Sequence, residues 1–154
     1  MEIDDNGLEV LDEATCRRLL ASAVVGRVGL CSSALPTVLP VSFVLTDDGI
    51  VFRTGRGAKL AAATHGAVVA FEVDEIDSFS HTGWSVVVTG VAREVTDPDD
   101  LARVRSLPIG HWGSPSADRH VRISTDIVTG RRIARAGAPA RISGDGWPGP
   151  RTPR

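Results

Sequence analysis

Aromatic side chains make up only 5% of this 154-residue chain, and its formal net charge is −2. A barrel that binds nucleic acid stacks bases on aromatics and carries a basic surplus, so that class is not expected here. There are only two cysteines, Cys16 and Cys31. They have no metal-ligand spacing and cannot form a disulfide framework; both lie in apolar runs and are expected as buried free thiols. The histidines, His65, His81, His111 and His120, are dispersed without zinc spacing and are expected at the surface or at helix ends. No apolar run approaches membrane-spanning length, and the N-terminus is acidic rather than a basic signal region. A soluble, cytoplasmic protein is the expectation. Walker A, GxGxxG and GxSxG motifs are all missing, so no phosphate loop or serine nucleophile is recognised by motif. Lysine is nearly absent too: Lys59 is the only one, against sixteen arginines.

The length suits one domain with a real core. The charge is uneven along it. Glu2, Asp4, Asp5, Glu9, Asp12 and Glu13 open the chain without a base, whereas eight arginines and only Asp126 and Asp145 follow from Arg119 onward. A basic end is either solvated surface or extra charge for an acidic ligand. Arg-over-Lys, Ala/Gly/Val-rich usage is associated with GC-rich bacterial genomes.

The most informative stretch is Gly49 to Leu60. Ile50, Val51 and Phe52 are β-formers after a turn residue. Gly55 and Gly57 permit a sharp turn and close approach of a ligand to the backbone. A helix is expected to start near Ala58, with free N–H groups suited to an anion. Arg53, Thr54, Arg56 and Lys59 surround that point, and cations with a hydroxyl about one turn make a candidate phosphate site. A strand-to-helix turn with solvated arginines is the plainer alternative.

Elsewhere, residues 1–10 read as a loose arm. Asp12 caps a helix whose apolar face holds Cys16, Leu19, Leu20 and Ala23. Strands are expected at 24–31, 37–45, 50–54, 67–73 and 83–95. Pro40 interrupts the second, which marks an edge, a bulge or a ligand-facing point. Gly90 suggests a bend of the kind barrels use. Asp97 caps a second helix with Pro98 at its first position and acids in its first turn. A loop holding His111 and Trp112 follows, then strands at 120–127 and from 129. Residues 136–154 read as a disordered tail. Six or seven short strands with few helices expect a mainly β, antiparallel barrel or sandwich.

Taken together, Val24-Val25-Gly26-Arg27-Val28, Leu39-Pro40-Val41-Ser42, Ile50 to Thr54 with Gly57-Ala58-Lys59-Leu60, Gly83-Trp84-Ser85-Val86 with Gly90, and Val128 to Arg131 carry a resemblance. Over about residues 10–134 the chain resembles the pyridoxamine 5′-phosphate oxidase-like, FMN-binding split-barrel family, closest to its small bacterial flavin-nucleotide-binding and nitroimidazole-resistance-like branch. The resemblance implies a six-stranded split β-barrel over 11–135 and a homodimer with flavin in clefts between subunits. It implies that Arg53 and Thr54 meet FMN, that Lys59 holds its phosphate, and that Leu39, Pro40, Val41 and Ser42 run along the flavin ring. Trp84 and Ser85 reach the flavin from the other subunit, and Trp112 is a candidate to stack on it. The chain departs from the true oxidases: Val38 and Leu60 stand where basic residues are expected, and no Arg-x-His segment follows Arg132. Pyridoxine phosphate oxidation is therefore not expected.

The residues themselves offer no obvious nucleophile or general acid, which suits chemistry carried by a cofactor. Three functions remain open: an FMN-dependent oxidoreductase; a reductase using deazaflavin F420, as some actinobacterial relatives do; and a non-enzymatic flavin- or haem-binding protein.

Overall fold

The computed structural model describes residues 1–32, 34–55, 65–110 and 118–133. Nine strands run in antiparallel pairs in the order β1-β2-β9-β7-β6-β3-β4-β5-β8, and a further pairing of β8 with β7 closes a six-stranded barrel. The strands are β1 (Glu2–Ile3), β2 (Glu9–Leu11), β3 (Val25–Ser32), β4 (Leu35–Thr46), β5 (Gly49–Thr54), β6 (Ala67–Asp77), β7 (Thr82–Glu94), β8 (Arg119–Ile123) and β9 (Ile127–Ile133). The mainly β barrel expected from strand spacing is thus present.

Both described helices begin where their capping residues sit. In α1 (Glu13–Ser22) the Asp12 carboxylate accepts from the Thr15 N–H at 2.6 Å. In α2 (Pro98–Arg105) the Asp97 carboxylate accepts from the Asp100 N–H at 2.9 Å, and proline opens the helix. Each cap satisfies a donor that the first helical turn leaves free.

Gly90 accounts for the barrel's closure. β7 pairs with β9 over Gly83–Thr89 and with β8 over Ala92–Glu94. The segment joining β8 to β9 crosses between these two pairings. There a Cβ on Gly90 would collide with the Ser124 carbonyl, so only glycine fits. The Ser124 hydroxyl accepts from the Val91 N–H, and the Ser124 N–H returns to the Val91 carbonyl.

Alternation along the strands divides the barrel's two faces. Val28, Phe43, Phe52, Phe71, Val86, Val88 and Ile123 fill the interior. A second, smaller core lies outside the barrel, where α2 and Ile109 cover Val51 and Val44 on the outer side of β4 and β5. Arg122 of β8 fastens α2 there, donating two hydrogen bonds to the Asp100 carboxylate at 2.6 and 2.8 Å.

The remaining outer surface is different. Register aligns Val38, Gly29, Ala70, Thr89 and Ile127 in one row across five strands. Val38, the neighbouring Val68 and Ile127 are exposed by 64%, 69% and 59%. Small and aliphatic residues here leave an apolar face open on the chain.

Two expectations are corrected. Residues 1–10 were expected as a loose arm, but β1 pairs with β2, β2 pairs with β9, and Arg131 holds Asp4 at 2.7 Å. Cys16 is buried as expected, whereas Cys31 is exposed. Its place in β3 is one residue beyond the inward Leu30, so it faces out. The expected tail, residues 136–154, lies outside the described residues.

Candidate functional site

The candidate site is built on β4, β5 and β8. Phe43 pairs with Phe52, and one further step of the same register sets Ser42 opposite Arg53. Arg53 in turn pairs with His120. Ser42, Arg53 and His120 therefore form a row across three strands, all on the outer face, because Ser42 and Arg53 share the parity of Val44 and Val51.

Pro40 is explained by the same register. The Phe43 N–H points to β3, donating to the Val24 carbonyl, so by alternation the nitrogen of residue 40 points to the β5 side. Continued pairing sets Pro40 against Gly55, beyond the end of β5 at Thr54. No ladder bond is lost there, and β4 needs neither an edge nor a bulge. The expected cofactor stretch Leu39–Ser42 thus lies alongside Arg53, Thr54 and Gly55. Side chains divide between the faces. Pro40, Ser42 and Arg53 face outward, whereas Leu39, Val41 and Thr54 face the barrel interior; Val41 and Thr54 are buried.

His120 is a correction. It was expected at the surface, yet it is only 4% exposed. Its Nδ1 and the Ser42 Oγ are buried and make no hydrogen bond among the described residues. Burial, and then the charges of Arg53 and Arg105, push the imidazole pKa below its ordinary value, while the Asp118 backbone and carboxylate act the other way. Gly110 approaches this point closely: a Cβ there would lie 3.4 Å from Ser42 Oγ.

Ser85 and Trp84 lie elsewhere on the barrel. Ser42 pairs with Val25 of β3, while Ser85 pairs with Asp74 of β6 and Arg131 of β9. β8 joins β5 to β7, but it meets β7 only at Ala92–Glu94, and Ser85 lies at the other end of that strand, about 23 Å along it at roughly 3.3 Å per residue. Trp84, half-buried against the core, lines a cavity of about 230 Å³ with Glu75, Asp77 and Arg132. One chain does not bring these residues to Arg53. Arg56, Lys59, His111 and Trp112 lie outside the described residues.

Other polar clusters have structural work. Asp74 and Glu72 hold Arg27 at 2.6 and 2.9 Å, and Asp77 accepts from the turn at Phe79 and Ser80. An acidic cavity of about 300 Å³ beside α2 includes Asp100 and Glu94. Those acids are engaged by Arg122, Arg103 and Arg119. Among the described residues no group of histidine, cysteine and carboxylate could hold a metal, and no helix is long and apolar enough to cross a membrane.

Residues 12–132 match the family described as pyridoxamine 5′-phosphate oxidase. The chain belongs to that family. It is 43% identical over 128 residues to an uncharacterized protein of Mycobacterium tuberculosis, covering 80% of this chain and 84% of that one. Among solved structures it is similar to the FAD binding protein from Mycobacterium smegmatis, with 35% identity and a TM-score of 0.69. That match covers 80% of this chain and 96% of the other. A Corynebacterium glutamicum protein described by the same family name gives 31% identity and a TM-score of 0.73, covering 82% and 98%. The shared architecture is the split barrel, in agreement with the resemblance carried by the sequence.

Proposed function

We propose that this family member binds a flavin nucleotide, FMN in the first instance, in a cleft between two copies of the chain and serves as a cytoplasmic flavin-dependent oxidoreductase. One observation carries the reading. The Leu39–Ser42 stretch, Arg53 and Thr54 meet at the end of β5, with a cation and two buried polar atoms on one row. That donor set fits a phosphorylated cofactor. Arg53 would hold the phosphate with Lys59, and the β4 backbone would lie along the ring. A bound flavin supplies hydride and single-electron chemistry, and the chain's part is to bind and orient it. The M. smegmatis relative named as FAD-binding supports a flavin.

The second copy is supported by the open apolar face around Ala70, and by Ser85 and Trp84 lying at the far end of β7 from the strand β8 that borders Arg53. Both are met if a partner subunit presents its Trp84 end to the Arg53 end of the first.

The purified protein's absorption spectrum tests the cofactor: flavin bands support the reading, whereas F420 absorption or a Soret band would replace it with one of the alternatives. Arg53→Ala should then weaken FMN by about 1.5–3 kcal/mol, roughly ten- to over a hundredfold. Riboflavin, lacking the phosphate, should bind both proteins alike.

A further inference from the structure

Ser42 and His120 present an unusual pairing of facts. Both are almost completely buried, at 5% and 4% exposure. Each keeps a polar atom, Oγ and Nδ1, without a hydrogen bond among the described residues. Leaving such groups unsatisfied costs folding free energy, so they are seldom kept without a use. Both flank Arg53 on the same row, one from β4 and one from β8, where cross-strand neighbours sit about 5 Å apart. Gly110 lies over Ser42 on that face, where a Cβ would stand 3.4 Å from its hydroxyl. Glycine at 110 leaves Ser42 clear of any side chain from that residue.

We infer that Ser42 and His120 are themselves ligands of the phosphoryl group, completing with Arg53 a three-strand anion cradle in which the serine hydroxyl and the imidazole N–H each donate to a phosphate oxygen. This rests on the flavin-nucleotide reading but names two ligands that the sequence alone did not assign to the phosphate.

A consequence distinguishes a ligand from a packing residue. In the free protein His120 is held neutral by burial and by Arg53 and Arg105, opposed only by Asp118; Val95, just beyond β7, donates its N–H to the His120 carbonyl. A dianion placed against the ring favours the charged form instead. Binding should therefore draw a proton from solvent onto His120.

The test follows the His120 imidazole by NMR while the full chain is titrated with FMN, riboflavin and inorganic phosphate. FMN binding is also measured calorimetrically in two buffers of different ionisation heat. We expect FMN and phosphate to move the His120 resonances and riboflavin to leave them in place. FMN binding should take up a fraction of a proton near pH 7 beyond that taken up by the His120→Gln protein. The difference between the two proteins removes the phosphate's own titration. Ser42→Ala and His120→Gln should each lose roughly three- to tenfold in FMN affinity, the loss of one hydrogen bond, and little for riboflavin. If FMN binds without moving His120, and wild type and His120→Gln take up equal protons, the cradle is overturned while flavin binding stands. If neither flavin binds yet inorganic phosphate still moves His120, the flavin reading falls and the cradle stands. If neither FMN nor phosphate moves the resonance, the inference fails outright.

Discussion

His120 makes a prediction that needs no ligand. Its folded-state pKa lies below the ordinary 6.5, chiefly because it is buried. Around and below that pH the unfolded chain takes up a proton that the folded chain does not, so unfolding gains as pH falls. Melting temperature should therefore drop between pH 7.5 and 5.5, and the drop should be shallower in His120→Gln. Equal slopes in the two proteins would show that His120 does not titrate in this window. The sequence marks a strand beginning at this residue. His120-Val121-Arg122-Ile123 alternates polar and apolar, and the polar pair does face out of the barrel. What it did not show is that Leu101, Val104 and Ile109 come down on that same outer face. Burial from outside a barrel leaves no mark on the alternation of the strand beneath. Arg53, by contrast, could be singled out as a candidate from the cations and glycines around it, and Pro40 from its oddness inside a strand run.

At the scale of elements, α2 is joined to the barrel by the small core around Val104 and by the Asp100–Arg122 pair. Hydrogen bonds from Arg122 hold the Asp100 carboxyl below its ordinary value, so this contribution is present at neutral pH and lost as pH falls through the lowered value. Asp100→Asn should raise amide exchange in Leu101–Arg105 while leaving the β6–β7 ladder protected; uniform loss of protection would contradict a local role. Gly90 belongs to the same scale. Gly90→Val drives a branched side chain into the Ser124 carbonyl and should cost roughly 3 kcal/mol or more, read as a lowered urea midpoint. Helix boundaries were legible because Asp12 and Asp97-Pro98 are local signals. The pairing of β1 and β2 was not, because an edge strand of two or three residues is specified by its partner β9 and not by its own pattern.

For the whole molecule, the open face decides assembly. Ala70 stands at the middle of the five-strand row, so Ala70→Arg sets charge at the centre of the proposed interface. Sedimentation at micromolar concentration should show wild type as a dimer and the variant shifted to monomer, with FMN affinity falling in step. A wild-type monomer would remove the two-subunit cleft.

The crossing at Gly90 also bears on how the chain reaches this state. β5 and β7 find their closing neighbour only in β8, through pairs such as Ile50 with Ile123 and Ala92 with Ile123. On the ribosome, then, β3 to β7 can form a sheet early, but its two free edges must wait for residues near the end of the barrel to emerge. Closure of such long loops is slow, placing refolding nearer milliseconds to seconds than microseconds. A nascent chain stalled before Arg119 should expose β5 and β7 as open edges and recruit chaperones that a chain stalled beyond Ile133 does not.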